Sequence, residues 1–101
     1  MIVAVAIFEL HIEAAQSLKE KRMVVKSLRD KLRHRFEISA NEIALQDLHQ
    51  RARIGIAFIA SDNAAADSML EKISGFVETN AEARVNGWMS EKLDFDENIA
   101  L

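Results

Sequence analysis

The chain has 101 residues, no cysteine and no proline, and its 13 Lys and Arg against 16 Asp and Glu give a net charge of −3. Half of the residues are hydrophobic and 29% are charged, which excludes a disordered chain and fits one domain with a single core. The missing cysteines exclude a disulfide framework, a thiol nucleophile and a Cys-based zinc site, and are compatible with a reducing cytoplasm.

The opening "MIVAVAIF" is apolar, but it is too short to span a bilayer. No basic residues precede it, and Glu9 and His11 follow closely, so it lacks the flanks of a signal peptide. Residues 2–12 are rich in Val and Ile and read as a first strand, in a protein expected to be soluble and cytoplasmic. Ser17 and Glu20 then form a capping-box pattern, in which Glu20 is expected to reach back to the cap's own amide. Leu18, Val25, Leu28 and Leu32 recur at helical spacing with Val24 beside them, so a first helix is expected to about Arg35. Residues 36–45 return to alternation, with Phe36, Ile38 and Ala40 on one face, and read as a second strand.

The polar residues 46–50 are a connecting loop and residues 51–60 a third strand. Ser61 or Asp62 caps a second helix with a buried stripe of Met69, Leu70, Ile73, Phe76 and Val77, and Asn80 is its expected stop. Residues 83–93 form a fourth strand, so residues 1–93 make one domain and residues 94–101 an acidic tail. The order βαββαβ, with right-handed crossovers, is that of a ferredoxin-like α+β sandwich. Its four-stranded antiparallel sheet has the order 4-1-3-2, with both helices on one face. Strands one and three are apolar on both faces, as central strands are, whereas strands two and four carry polar alternation.

Parity places Ile2, Ala4, Ala6, Phe8 and Leu10 under the helices. The open face then displays Val3, Val5, Ile7, Gly55, Ala57 and Ile59, together with Glu9, His11 and Arg53. Such an apolar face is unusual to leave wet. Two coverings are open: the C-terminal tail folded across it, or a homodimer in which Gly55 admits a close partner. The homodimer is the expectation favoured here. Phe8 and Phe58 point to the helices and Trp88 is read as packing, so the open face lacks the base-stacking aromatics of an RNA-recognition-motif sheet.

The charge distribution is the other unusual feature. Residues 17–36 hold eight of the 13 basic residues and only two acids, Glu20 and Asp30. On a helical wheel Lys19, Arg22, Lys26, Arg29 and Arg33 fall within about an 80° arc, a positive ridge about 20 Å long beside the core stripe. A nucleic-acid phosphate backbone complements such a ridge. The plainer alternative is a solvated face whose charges pair with second-helix acids such as Asp67 or Glu71. His34 is a helix-terminal surface residue.

Topology also brings Glu9, His11, Lys19, Arg22, Asp47, His49, Arg51 and Arg53 towards one end of the domain. Glu9 with His11, or Asp47 with His49, has the composition of an acid–base pair, but the spacing is not diagnostic. The chain has no glycine-rich phosphate loop, no HExxH and no nucleophile motif, so no catalytic residue, cofactor or metal is expected.

"SLKEKR" at 17–22, "VVKSL" at 24–28, "RF" at 35–36, "QDLHQRA" at 46–52 and "SDN" at 61–63 together resemble the YlxP-like family of small bacterial proteins, over roughly residues 2–79. The chain departs from the family pattern at Glu37 and Ile38, where an Asn–Val pair is usual. It departs also at His49, where Trp is common, and at Ile7, where a larger or basic residue is common. The resemblance implies a ferredoxin-like fold and, from the company these genes keep, a role near the ribosome or its RNA. The resulting expectation is a non-enzymatic accessory factor contacting ribosomal RNA or a ribosome-bound partner through Lys19, Arg22, Lys26, Arg29, Arg33, Arg51 and Arg53. The alternative is a small-ligand or regulatory homo-oligomerisation module with an anion pocket at the Glu9/His11/His49 end.

Overall fold

A computed structural model describes residues 1–101. The elements run β1 (Ile2–His11), α1 (Leu18–Phe36), β2 (Ser39–Ala44), β3 (Arg51–Ala60), α2 (Asn63–Asn80) and β4 (Arg84–Asp94). The four strands form one sheet ordered β2-β3-β1-β4, with every pairing antiparallel. This is the expected ferredoxin-like order. α1 packs over β2 and β3, and α2 over β1, β3 and β4. No helix is long and apolar enough to cross a membrane.

The core follows the parity of the strands. Ile2, Ala4, Ala6, Phe8 and Leu10 of β1 are buried, as are Ala52, Ile54 and Ile56 of β3. From above they meet Val25, Leu28 and Leu32 of α1 and Ala66, Leu70, Ile73 and Val77 of α2. Small alanines on the two central strands let the helices sit close while Phe8 and Leu10 fill the volume between them. Trp88 stacks on Phe8 with ring centroids 5.5 Å apart and planes 11° from parallel, so it is core packing as expected.

Two local expectations are corrected and one that was open is decided. The first helix continues through Phe36, and β2 begins only at Ser39. Glu37 takes the left-handed conformation (φ 53°) and donates its N–H to the Arg33 carbonyl, which ends the helix there. Phe36 stays on the helix and packs edge-on against Phe76 of α2, at 5.4 Å and 89°. At the other end of α1 the Glu20 amide does donate to Ser17 Oγ (3.1 Å), but the Glu20 carboxylate accepts from the Gln16 amide rather than from the cap's own. The second helix is capped by Asp62, whose carboxylate accepts from the Ala65 amide at 2.8 Å.

The strand boundary at the C-terminus also moves slightly. β4 reaches Asp94, and Phe95 donates its N–H to the Met1 carbonyl (2.8 Å) while Glu97 pairs with the N-terminal amine (2.8 Å). The first residues of the expected tail thus continue beside β1 at the Met1 end. They do not lie across the sheet, where Val5, Ile7 and Ile59 remain exposed.

Candidate functional site

The basic ridge is present on α1, on the flank that overhangs edge strand β2. Arg33 fixes this position: its Nη2 donates to the Ala40 carbonyl (2.8 Å) and to Asn41 Oδ1 (2.9 Å). Arg33 is therefore a clasp between α1 and β2 rather than an unengaged cation. Lys26 pairs with Asp30 at 2.9 Å, one turn on, and Arg29 lies 3.5 Å from the other Asp30 oxygen. These cations hold the Asp30 carboxyl below its usual range, Lys26 first through its hydrogen bond. Lys19 and Arg22 are exposed and have no ion-pair partner.

The acids proposed to neutralise the ridge do not reach it. Asp67 of α2 pairs instead with Lys92 of β4 at 2.6 Å, and Glu71 makes no ion pair. Of the 16 acids, Asp30 is the one placed against the ridge, so most of its positive charge faces solvent.

Arg51 and Arg53 belong to a different surface. Their neighbours Ala52 and Ile54 are buried under the helices, so the two arginines project from the open face of the sheet. There both grip Glu9 of β1: Arg53 Nη2 at 3.0 Å, and Arg51 through Nε and Nη2 at 3.1 Å each. Arg53 is the direct cross-strand partner of Glu9, and Arg51 is its diagonal neighbour. The sheet separates this cluster from the α1 ridge, so the seven expected cations do not make one surface.

Glu9 is an acid whose titration the geometry perturbs. The Arg53 hydrogen bond, with the Arg51 bonds and both positive charges, holds its carboxyl below the usual value near 4.5, although partial burial opposes them. A carboxyl with a depressed folded pKa contributes stability that is present above its unfolded pKa and is lost as pH falls through the folded one. Glu9→Gln is therefore expected to be less stable than wild type at neutral pH, with the gap closing below about pH 4. Urea melts of both proteins at neutral and acidic pH measure this. An equal gap at the two pH values contradicts the pairing.

The rest of the expected end cluster is only partly assembled. The Ile12 amide donates to the Gln50 carbonyl (2.8 Å), and Gln50 Nε2 donates to the Glu13 and Ala15 carbonyls at 3.3 and 3.2 Å. The loop after β1 and the loop before β3 are thus stitched together. His11 is half-buried beside Arg51 and Arg84 in register, whereas Asp47 and His49 are exposed on the 45–50 loop. No hydrogen bond joins either of them to Glu9 or His11.

The residue that organises this end is a lysine of the first helix for which the sequence predicts no separate role. Lys21 is completely buried. Its Nζ donates to Glu42 Oε2 (2.8 Å) and to the carbonyls of Leu45 (2.8 Å), Gln46 (3.1 Å) and Arg51 (3.3 Å). One ammonium thus ties the first turn of α1 to the end of β2, the loop and the start of β3. Leu45 has a positive φ of 65°, costly for a side-chain-bearing residue. Its carbonyl accepts from both Lys21 and the Leu48 amide. The signal was available: Lys21 falls inside the wheel arc between Leu18 and Leu28, on the buried stripe itself.

Gly55 has a close neighbour within the chain itself. A Cβ there would meet Cγ2 of Ile43 at 3.0 Å, so the glycine makes room for a side chain of the neighbouring strand β2. β4 adds further residues to the open face. Met89 pairs with Ile7, Glu91 with Val5 and Leu93 with Val3, and a register shift at Phe8/Glu9 takes up Gly87 (φ 81°) as a bulge.

Against known proteins, the chain matches the family model described as "Protein of unknown function (DUF503)" over residues 3–88. It is 35% identical over 65 residues to the uncharacterized protein YlxP of Bacillus subtilis (strain 168), covering 64% of this chain and 71% of that one. Among solved structures, a candidate antibiotic biosynthesis monooxygenase from Deinococcus radiodurans aligns at 13% identity and a TM-score of 0.49, covering 100% and 98% of the two chains. A de novo designed protein with ferredoxin fold aligns at 14% identity and 0.46, covering 100% and 93%. Likenesses at this level say nothing of activity, and the assignment of the fold rests on the strand order itself.

Proposed function

Because the chain belongs to the DUF503 family of proteins of unknown function, we propose its role from its own surface: an accessory factor that holds structured RNA by its phosphates along α1. The observation that carries this reading is the unneutralised ridge. Lys19 and Arg22 lack acidic partners, and Lys26 and Arg29 share Asp30 alone. The four lie in line along α1, and the partial positive charge of the helix N-terminus adds to the end of the row that begins at Lys19. The resemblance to YlxP-like proteins supports ribosomal RNA, or a ribosome-bound surface, as the partner.

Contacts of this kind read charge and shape rather than sequence. Arg33, Arg51 and Arg53 are left out of the interface, because the first is a clasp to β2 and the other two lie on the far side of the sheet. The test is a fluorescence-anisotropy titration of labelled structured ribosomal RNA at several salt concentrations. The variant is Lys19→Glu, Arg22→Glu, Lys26→Glu, three exposed positions whose reversal leaves the core untouched. Binding is expected to weaken about a hundredfold or more, with the slope of log affinity against log salt reduced by about 3. Equal binding by wild type and a folded variant, or no binding by either near physiological salt, refutes the reading.

A further inference from the structure

The open face of the sheet carries an apolar strip on three neighbouring strands. Val5, Ile7, Ile59, Leu93 and Met89 are 42%, 44%, 68%, 60% and 75% exposed. Register makes them continuous: Val3 sits between Ile59 and Leu93, and Ile7 lies beside Met89. A hollow of about 490 Å³ beside the Gly87 bulge, lined by Ile7, Arg53 and Met89 among others, belongs to the same face. We infer that a second copy of this chain covers it, the two sheets packing face to face about a two-fold axis that passes over Ile7.

Two observations select a second copy. The first is charge. Glu9 answers two guanidinium groups with one carboxylate, which leaves one positive charge in excess at Arg51 and Arg53. Glu91, on β4 of the same face, is exposed and has no ion-pair partner. Glu91 lies beside Val5 and Arg53 beside Glu9, on opposite sides of β1, so Ile7 stands midway between them. A two-fold axis in the interface plane, perpendicular to the Glu91–Arg53 diagonal, exchanges those positions. Each Glu91 then meets the partner copy's excess positive charge, and Ile7 meets its own symmetry mate. The face is thus self-complementary, as a two-fold interface requires.

The second observation is area. Three of the four strands are ten or eleven residues long. At about 3.3 Å per residue and about 4.8 Å between strands, an axis in that direction crosses the two sets of strands at about 70°, so the sheets overlap over roughly 400 Å² in plan. Protruding side chains raise that towards the roughly 600 Å² per partner of the smaller stable interfaces. The helices lie on the other side, so both α1 ridges stay exposed in the dimer, and the RNA reading stands or falls separately.

Sedimentation velocity from micromolar to submillimolar concentration is expected to show a dimer. The chain has no cysteine, so single cysteines report contacts cleanly. Ile7→Cys is expected to cross-link to itself under mild oxidation, whereas Ser27→Cys, exposed on the outer side of α1, is not. Glu91→Arg sets like charges against each other twice across the axis and is expected to raise the dimer dissociation constant about tenfold or more. A wild type that is monomeric throughout leaves the face to another occupant and overturns the inference. Cross-linking of Ile7→Cys no faster than that of Ser27→Cys overturns it too, as does a dimer indifferent to Glu91→Arg.

Discussion

Replacing Lys21 with Met is expected to destabilise the fold by about 3–5 kcal/mol, the usual cost of removing one member of a buried ion pair. For a domain of this size that is a fall of about 15 °C or more in Tm. The loss has little to do with attraction to Glu42 alone. Without the ammonium, the carbonyls of Gln46 and Arg51 lose the Lys21 donor in this part-buried corner, and Leu45 keeps only the Leu48 amide. Glu42→Gln is milder, about 1 kcal/mol, because Lys21 retains three carbonyls and the amide oxygen still accepts. Lys21→Met combined with Glu42→Met is expected to cost less than the two single changes summed, since the double variant buries no unpaired charge. Arg is no substitute: its planar fork is larger than the compact ammonium that this fully enclosed site holds. Urea melts followed by circular dichroism measure all of these. A Lys21→Met protein within about 0.5 kcal/mol of wild type shows that the clamp does not hold the loop.

That clamp shows how far the sequence could be read. Strand order followed from chain order and parity, because apolar residues on both faces of β1 and β3 leave them only central places in the sheet. Lys21 was legible too, at the right helical angle, but a lysine among seven other cations reads as surface charge unless each position on the buried arc is checked. The end of α1 was not legible. Phe36 continues the helical stripe four residues after Leu32 and also alternates with Ile38 and Ala40, so either period fits. The stop is Glu37 in the left-handed region, where no glycine announces it. The engagement of Arg33, Arg51 and Arg53 was equally hidden. Whether a surface arginine is spent on a carbonyl or a neighbouring carboxylate is decided by side chains far away in the chain. Gly55 gave a true signal of close approach, and within the chain the side chain that approaches it is Ile43.

The sheet divides the protein into two surfaces with different chemistry. On the helix side, charge is concentrated and left open beside an edge strand that is only six residues long. On the bare side, Glu9 offsets one of two guanidinium charges, Glu91 stands without an ion-pair partner, and the exposed area is largely apolar. The proposed polyanion binding would use the first and the proposed self-association the second, because phosphates need unpaired cations whereas a sheet-on-sheet contact needs area with balanced charge. The 45–50 loop, with Asp47 and His49 exposed on it, lies at the end shared by both and is held in shape from beneath by Lys21.

Phe8 is the large core side chain that ties β1 to β4. It is fully buried, faces the helices, and stacks on Trp88 at the last regular pair of the β1–β4 ladder before the bulge. Phe8→Ala is expected to cost about 3–5 kcal/mol, from lost transfer energy and the cavity left behind. Roughly 1 kcal/mol of that is attributable to the aromatic pair. Phe8→Leu, which keeps most of the volume, is expected to cost less than half as much. Trp88 is the one tryptophan, so its emission reports the change directly. In Phe8→Ala the native protein, kept folded at low temperature, is expected to emit further to the red as water reaches the indole. Gly87 sits next to Trp88 and turns β4 at a positive φ, so loosening the stack is expected also to speed amide exchange at Trp88 and Met89. Unchanged emission together with a loss below about 1.5 kcal/mol would mean that α2, rather than the ring pair, holds this end of β4 in place.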